Sequence, residues 1–213
     1  MMSKELSQQL LVYVISMLAK RLFDLISSIS AILLLLPVFL CIALLVHFTS
    51  KGGILFRQTR VGLNGRKFTI FKFRTMIISD SKVQLSNDKD SRITRVGGFL
   101  RKWKLDELPQ FINVLIGDMS LVGPRPEVPE YVKHYDPDTV DKILSVKPGI
   151  TDNASIYFRN ESTILSEVED INKTYIEEIL PIKQKYFLEY VNNRSFKLDL
   201  YILFKTAYTI IFK

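Results

Sequence analysis

The chain has 213 residues, with 29 lysines and arginines against 22 aspartates and glutamates, for a formal net charge of +7. This length suits one domain with an appendage, and the basic balance favours nucleic acid, anionic lipid or phosphorylated substrates as partners. The single cysteine, Cys41, excludes an intrachain disulfide and favours a reducing compartment, and the two histidines show no spacing typical of a zinc site.

The first predicted element is an apolar stretch over residues 22–48, which is interrupted only by Asp24 and Pro37. It is long enough to cross a bilayer, which takes about 20 apolar residues. A secretory signal peptide is not indicated, because the apolar region is too long, starts late and lacks a clear cleavage site. Residues 10–18 are also apolar, and they either begin the membrane helix or lie along the surface.

Two features argue against a plain crossing by this stretch. Pro37 lies near its middle and breaks or kinks a helix, and Asp24 favours the membrane interface over the bilayer core. Basic residues flank both ends, so the positive-inside rule keeps both flanks on the cytoplasmic side; they are Lys20, Arg21, Lys51, Arg57, Arg60, Arg66 and Lys67. A helix that enters, bends at Pro37 and returns satisfies these constraints. A spanning helix with a proline kink is common and stays open on these residues.

Two short strands are predicted next, over Ile54–Gln58 and Lys67–Phe73, joined through Asn64-Gly65, which is a strong hairpin turn signal. Lys72 and Arg74 share one side of the second strand, a pattern typical of a solvated strand face. The polar residues 79–91 indicate a surface loop without chemistry.

A helix is predicted over Ile93–Lys102, although Gly97-Gly98 weakens it. Trp103, which follows, suits both a membrane interface and a core position.

The stretch over residues 101–126, RKWKLDELPQFINVLIGDMSLVGPRP, is the most informative part of the sequence. Asp106 can cap the apolar helix that follows and Glu107 can lie in its first turn, where negative charge is favoured. Pro109 is tolerated in a first turn, and Gly117-Asp118 is a stop signal.

Past this helix, the loop Gly123-Pro124-Arg125-Pro126 is stiff and presents one arginine. Together with Arg101, the two acids and Arg125 form a mixed-sign cluster that suits a phosphate, a divalent metal held by carboxylates, or an attacking carboxylate. An Asp-Glu pair at a helix start is also common as capping alone, so that interpretation stays open on these residues.

The remaining chain is predicted to be helix-rich. Arg159 and Glu161 either contact a substrate or pair with each other, and pairing is the preferred interpretation. The last apolar segment suits a helix that lies in a membrane interface or packs under the domain. The predicted elements are helices over Glu127–Tyr135 and Val140–Val146, a rigid loop over Lys147–Thr151, helical structure over Glu167–Val191 with a kink at Pro181, and a helix over Leu198–Phe212.

The motif over residues 105–126, LDELPQFINVLIGDMSLVGPRP, resembles the signature of the bacterial sugar transferases, which are monotopic polyprenol-phosphate phosphoglycosyl transferases. The resemblance covers nearly the whole chain in order, which is far more specific than one short pattern. The further matching motifs are KR at Lys20-Arg21, FRQTRVG at Phe56–Gly62, FTIFKFRTM at Phe68–Met76 and KPGIT at Lys147–Thr151.

The resemblance implies the small single-domain type of this family, with an α+β fold that is mostly helical and has a short β-hairpin. It implies a re-entrant membrane helix broken at Pro37 (residues 1–50), a cytoplasmic catalytic domain (51–197) and a C-terminal interfacial helix (198–213). Many members have a serine before the proline and a glycine after KPGIT, whereas this chain has Leu36 and Asp152 there.

The resemblance also implies a reaction in which a sugar-1-phosphate passes from a UDP-sugar to polyprenol (undecaprenyl) phosphate, releasing UMP. Asp106 would form the covalent phospho-sugar intermediate, and Glu107 together with Asp106 would hold Mg²⁺. Lys72, Arg101 and Arg125 are the predicted substrate-binding residues, and Arg60 and Arg74 are less strongly indicated. Pro37, Pro124 and Pro126 are predicted to be structural.

The expected location is the bacterial inner membrane, with the catalytic domain on its cytoplasmic face and a role in the first membrane step of a surface glycan pathway. The expected partners are the UDP-sugar, polyprenol phosphate and membrane lipids, without nucleic acid. The competing hypothesis is a basic membrane-anchored binding module without catalysis, which would not depend on Asp106 and Glu107. A phosphate-binding P-loop motif is absent from the sequence.

Overall fold

The computed structural model describes residues 2–78 and 85–212. Within them the chain is mostly helical and carries a short antiparallel hairpin, which confirms the predicted α+β class. The helices are α1 (Met2–Leu34), α2 (Leu36–Thr49), α3 (Arg95–Lys102), α4 (Gln110–Ile116), α5 (Pro129–Val132), α6 (Val140–Ile143), α7 (Asn153–Tyr157), α8 (Glu161–Ile164), α9 (Ile171–Thr174), α10 (Leu180–Asn193) and α11 (Phe196–Phe212). The strands are β1 (Leu55–Val61), β2 (Lys67–Phe73), β3 (Ser120–Val122) and β4 (Gly149–Thr151).

The N-terminal apolar stretch folds as two helices that meet at Leu35. Their axes differ by 63°, and Pro37 lies in the first turn of α2, where its missing N–H removes no intrahelical bond. The predicted break at Pro37 is therefore confirmed. No single described helix is both long and apolar enough to cross a bilayer. The bent pair of α1 and α2 together has sufficient length and apolar composition.

Asp24 of α1 is buried against β3 rather than at a free interface. Its carboxylate accepts hydrogen bonds from Ser120 Oγ at 2.8 Å and from Leu121 N at 3.2 Å. Four residues earlier, Lys20 Nζ donates to Asp199 Oδ2 at 2.5 Å. These polar contacts fix one face of α1 to β3 and α11.

Arg21 binds the other neighbour of α1. Its guanidinium donates to the carbonyls of Val114 at 2.7 Å and Leu115 at 3.1 Å, in the last turn of α4. Carbonyls in the last turn of a helix lack their regular partners four residues on, so a cation there is favourable. Gly117 then ends α4 in the left-handed conformation, with φ of 97°, as the stop signal predicted.

The hairpin agrees with the sequence. Asn64 and Gly65 have φ values of 53° and 74°, the left-handed conformation that a type I′ turn requires at both central positions. Strand β1 is longer than predicted and extends to Val61, because it pairs with β2 along its full length, from Leu55 opposite Phe73 to Val61 opposite Lys67.

Strands β3 and β4 were not predicted and form a parallel pair. Part of the predicted loop Lys147–Thr151 is strand β4, with Ser120 opposite Gly149 and Val122 opposite Thr151. The two backbones approach so closely that a Cβ on Gly149 would lie 2.1 Å from Gly123 N. Glycine is therefore required at this crossing.

The two helices predicted after the central loop are shorter than expected. The residue Glu127 is not helical, because its carbonyl accepts from Val61 N at 2.9 Å and so continues the contact with β1. Helix α5 instead begins at Pro129, a favoured first position.

The C-terminal helices enclose the domain on one side. A π-helical turn over Tyr175–Ile179 joins α9 to α10, and Pro181 lies in the first turn of α10, which agrees with the predicted irregularity at that proline. In α11 Ile202 is buried, whereas the aromatic side chains of its other face are exposed; they are Tyr201, Phe204, Tyr208 and Phe212.

Two glycines of α3 provide a matched test of the packing next to the site. A Cβ on Gly97 would lie 2.0 Å from Thr75 O, whereas the nearest atom to a Cβ on Gly98 would be Ile93 Cγ2 at 3.9 Å. We expect Gly97→Ala to lower the free energy of unfolding by about 1–3 kcal/mol. Gly98→Ala should leave it unchanged or raise it by up to about 1 kcal/mol. Thermal unfolding of both variants checks this, and equal effects would contradict the packing described for Gly97.

Candidate active site

The Asp-Glu pair lies on a turn between α3 and α4. Residues Leu105–Glu107 form one 3₁₀ turn, which Lys104 enters with φ of 55°. The prediction that Asp106 caps α4 was wrong, because Pro109 occupies the cap position and no side chain caps this helix. The tight turn separates both acids from the first turn of α4 and directs Asp106 into the protein.

Asp106 is a buried carboxylate with an unsatisfied oxygen. It is 7% exposed, and within the described residues its Oδ1 has no hydrogen-bond partner. Burial raises the pKa of Asp106. The nearby charge of Lys72 acts to lower this pKa, and that of Glu107 acts to raise it. Such a group is costly in a fold, and this cost is typical of residues retained for chemistry.

Glu107 has the opposite environment. Lys72 Nζ donates to its Oε1 at 2.8 Å, and Arg125 grips both of its oxygens, with Nη1 to Oε2 at 3.1 Å and Nη2 on Oε1. Burial alone would raise the pKa of Glu107, but Arg125 and Lys72 hold it well below its usual range. This carboxylate therefore stays ionised and paired.

Both cations are partly buried, with side chains that are 16% exposed for Lys72 and 25% exposed for Arg125. Burial lowers the pKa of Lys72, and the charge of Glu107 offsets part of that shift. Burial also acts to lower the pKa of Arg125, but Glu107 outweighs it and raises this pKa above its usual range. The structure thus brings together four of the predicted site residues: Asp106, Glu107, Lys72 and Arg125.

The loop that carries Arg125 is held by hydrogen bonds as well as by its two prolines. Pro124 O accepts from Gly149 N at 3.0 Å, and Pro126 O accepts from Arg60 Nη1 at 3.0 Å. Between them, Arg125 N donates to Asp152 Oδ2 at 2.8 Å. Arg60, which was less strongly indicated by the sequence, therefore supports this loop.

Arg101 lies next to these residues and is held by hydroxyl groups. Its Nε donates to Thr75 Oγ1 at 2.9 Å and its Nη1 to Ser86 Oγ at 2.7 Å. Burial lowers the pKa of Arg101, while the charge of Asp106 raises it. Arg74 is directed elsewhere, because it binds the carbonyls of Gly53 and Leu55.

Sequence reasoning missed two residues of this region. Lys104 lines the same cavity as Glu107, and its charge lowers the pKa of both acids. Its position two residues before Asp106 was a usable signal. Asp152, noted only as a departure from relatives, is buried and caps α7 through Ser155 N at 2.5 Å while it holds Arg125 N.

A cavity of about 410 Å³ opens beside Glu107 and Arg125. It lies between the loop of Arg125 and helices α4, α7, α10 and α11. Its wall is mostly apolar and includes Phe111, Ile150, Phe158, Phe187, Leu203 and Ile210. A ligand that places an anionic group at Arg125 can therefore extend into a largely apolar space.

The two acids suit a magnesium ion only together with a ligand that supplies further oxygens. Within the described residues, no group of three or more metal-ligating side chains converges. Among the described residues Asp106 Oδ1 has no partner, and Glu107 Oε2 accepts a hydrogen bond from Arg125 Nη1, so each of these oxygens has a lone pair left. Magnesium is commonly bound by one or two carboxylates plus substrate phosphates, which is compatible with this pair.

Comparison with known proteins gives one family. The model of the family described as bacterial sugar transferase matches residues 15–213. A UDP-glucose:undecaprenyl-phosphate glucose-1-phosphate transferase of Klebsiella pneumoniae is 41% identical over 199 residues, which cover 91% of this chain and 40% of that protein.

Other relatives are of different lengths. A UDP-N-acetylgalactosamine-undecaprenyl-phosphate N-acetylgalactosaminephosphotransferase of Aeromonas hydrophila is 38% identical, covering 90% of this chain and 43% of its own. The exopolysaccharide production protein ExoY of Rhizobium meliloti (strain 1021) is 35% identical, covering 89% of this chain and 84% of its own. The chain thus spans less than half the length of the first two relatives and most of the third.

Because Asp106 and Glu107 have opposite pKa shifts, removing the charge of each is expected to change the thermal stability in opposite directions. The raised pKa of Asp106 means that its carboxylate destabilises the fold at neutral pH, and this penalty fades as pH falls through the raised value toward the ordinary 3.8. In chelator, Asp106→Asn should therefore raise Tm at about pH 7 by at least about 2 °C, with a smaller gain at lower pH.

Glu107→Gln should instead lower Tm at neutral pH, because the lowered pKa of Glu107 stabilises the fold above the ordinary 4.5 and loses this effect as pH falls. Thermal unfolding across pH measures both variants. A lower Tm for Asp106→Asn at neutral pH would contradict the unpaired environment described for Asp106.

Proposed function

The chain belongs to the bacterial sugar transferase family, and on this basis we propose that it transfers a sugar-1-phosphate from a UDP-sugar to polyprenol phosphate. The products would be polyprenol-diphosphate-sugar and UMP. The observation that carries the proposal is the pair of acids: a buried, unpartnered Asp106 oxygen beside a Glu107 whose charge is balanced by Arg125 and Lys72.

In the first half of the reaction, an oxygen of the Asp106 carboxylate attacks the phosphorus that bears the sugar. A bond forms between this oxygen and phosphorus, and the bond from phosphorus to the bridging diphosphate oxygen breaks. UMP leaves with that electron pair, and the sugar phosphate stays on Asp106 as an acyl phosphate. Burial favours this role, because a carboxylate oxygen without a hydrogen bond, as Asp106 Oδ1 is among the described residues, is a better nucleophile than a solvated one.

The cations of the site act on the phosphate groups. Arg125 is fixed by its loop and can share its guanidinium between Glu107 and a phosphate oxygen. Lys72 and Lys104 add positive charge where the diphosphate would lie, and Arg101 adds charge next to Asp106. Their effect is strong because the wall of the cavity is mostly apolar, which lowers the local dielectric constant.

We further propose that Glu107, with Asp106, holds Mg²⁺ together with the donor phosphates. When bound, the ion would neutralise the diphosphate and stabilise the leaving UMP. Glu107 is suited to this role because its lowered pKa keeps it ionised throughout the physiological range.

In the second half, a phosphate oxygen of polyprenol phosphate attacks the same phosphorus. The new phosphorus–oxygen bond forms as the bond to Asp106 breaks, and the carboxylate is regenerated. Storing the sugar phosphate on Asp106 lets a soluble donor and a lipid acceptor use one site in turn. The relatives named for undecaprenyl phosphate and exopolysaccharide production support a first membrane step of a surface glycan pathway.

We propose that the bent pair of α1 and α2 enters the cytoplasmic leaflet of the bacterial inner membrane and returns. The exposed apolar side chains around the bend support this, and they include Leu33, Leu34, Leu40, Leu44 and Phe48. Lys20 and Arg21 bind the catalytic domain before the bend, at Val122 O and Val114 O, which favours both ends on one face. The exposed aromatic face of α11 would lie in the same interface.

The alternative is a basic membrane-anchored binding module without catalysis. It explains the net charge and the apolar helices. It does not need a buried carboxylate with one oxygen unpartnered among the described residues, next to a Glu107 that Arg125 and Lys72 bind. The covalent adduct experiment separates the two functions.

Incubating the protein in nanodiscs with Mg²⁺ and UDP-sugars, without acceptor, should add the mass of one sugar phosphate and release UMP. UDP-glucose, UDP-galactose and UDP-N-acetylgalactosamine form the first panel. Intact-mass measurement should find the adduct on the wild type and none on Asp106→Asn, because the attacking oxygen is changed. Chelator should abolish it.

Lys72→Met should slow formation of the adduct by about tenfold or more. The matched control for loss of charge is Lys67→Met, because Lys67 is exposed on the same strand. This control should form the adduct at the wild-type rate. Turnover of Asp106→Asn at the wild-type rate would refute this nucleophile. A wild type that releases no UMP, even with polyprenol phosphate and the full donor panel, would favour the binding module.

Membrane topology is testable with single cysteines in a Cys41→Ser background. Gln8→Cys, in α1, and Lys67→Cys, in the hairpin, are both at exposed positions. A re-entrant pair predicts that an impermeant maleimide labels both in inside-out vesicles and neither in spheroplasts. Labelling of Gln8→Cys from the outside would show a spanning helix instead.

A further inference from the structure

Arg159 and Glu161 do not form the pair that the sequence suggested. Glu161 Oε2 is bound by Lys183 Nζ at 2.6 Å. Lys183 is buried, donates to Tyr175 Oη at 3.0 Å and lies 3.7 Å from Glu127 Oε1. The negative charge of Glu161 is therefore used within this buried cluster, and Arg159 is left without a carboxylate among its described contacts.

Arg159 is poorly satisfied for an arginine that lines a cavity. Its Nη2 donates to Ile210 O at the long distance of 3.5 Å, and its buried Nη1 has no partner within the described residues. The buried hydroxyl of Ser155 interacts with the carboxylate of Asp152, and Ser155 and Arg159 both line the cavity beside Arg125. Buried donors without acceptors are unfavourable, so this part of the wall is prepared for a ligand that supplies oxygen atoms.

This part of the wall is held in place relative to the reacting groups. Asp152 accepts from Ser155 N through Oδ1 and from Arg125 N through Oδ2, at 2.5 Å and 2.8 Å. One buried carboxylate therefore fixes both the start of α7 and the backbone of Arg125. A ligand bound at Arg125 meets Ser155 and Arg159 at defined positions.

We propose that Arg159 and Ser155 bind oxygen atoms of the donor outside its diphosphate, on the sugar or on the uracil, and so help to select the donor. This inference rests on the proposed function. Both groups offer hydroxyl or carbonyl oxygens to Arg159 and a flat or apolar face to Phe111, Phe158 and Phe187 in the same wall. An isoprenoid chain is the poorer occupant, since it would leave the arginine unpaired.

The test is direct binding of UDP-sugars and UMP, measured by calorimetry in nanodiscs on Asp106→Asn protein, which leaves the donor intact. Into this background we would place Arg159→Met, which removes the donors at similar length, Arg159→Lys, and Ser155→Ala. The control is Lys185→Met, because Lys185 is an exposed cation on α10. Thermal unfolding of each variant verifies that it is folded.

We expect Arg159→Met to weaken UDP-sugar binding by about tenfold or more, Ser155→Ala by less, and Lys185→Met not at all. If UMP weakens by the same factor, the oxygens belong to the uracil. If the affinity for UMP is unchanged while the UDP-sugars bind more weakly and are no longer discriminated, the oxygens belong to the sugar. The proposal would be overturned if folded Arg159→Met bound the donor and UMP within twofold of the parent affinities. It would also be overturned if the parent bound no nucleotide.

The readout is independent of the covalent step. Loss of donor affinity in Arg159→Met would stand even if the wild type formed no adduct on Asp106, which would count against the proposed function alone. Conversely, normal adduct formation with unchanged affinity in Arg159→Met would remove this inference and leave the proposed function intact.

Discussion

Glu107 is bound by Arg125 and Lys72, while its neighbour Asp106 is buried with one oxygen that has no partner in the described chain. Two like charges in adjacent residues repel, and a low-dielectric interior strengthens that repulsion. The arrangement persists because the cations compensate one acid fully and the other only through space. Lys72 from β2, Arg125 from the proline loop and Arg101 from α3 therefore have to converge on one 3₁₀ turn, and the fold supplies the three elements that carry them.

The helices with exposed apolar faces are bound to the same framework. Asp24 of α1 holds the backbone of β3, and Asp199 of α11 is shared by Lys20 and Tyr190, which both also donate to Val122 O. Strand β3 leads directly into the loop of Arg125. Any displacement of α1 or α11 therefore acts on the strand that positions this arginine, which couples the apolar surface of the protein to its polar site.

Local chemistry made part of this predictable. The break at Pro37, the Asn64-Gly65 turn, the stop at Gly117 and the stiffness around Arg125 each follow from backbone rules that act over a few residues. The parallel pairing of β3 and β4 did not follow, because three-residue strands have too little pattern and their partner is remote in sequence. The pairing of Glu161 with Lys183 was missed for the same reason, since burial decides it over the shorter-range partner Arg159.

The unfavourable features of the molecule concentrate where the chemistry is proposed. Lys104 has a left-handed backbone, which costs a side-chain-bearing residue about 1–2 kcal/mol. Asp106 Oδ1 and Arg159 Nη1 are buried without partners among the described residues. They lie near a loop in which Pro124 O, Arg125 N and Pro126 O are all hydrogen-bonded. The loop that must be rigid is therefore well satisfied, whereas the groups proposed to meet the ligand are not. A fold selected for stability alone would have no reason to distribute its polar groups in this way, whereas a site completed by a phosphate-bearing ligand would.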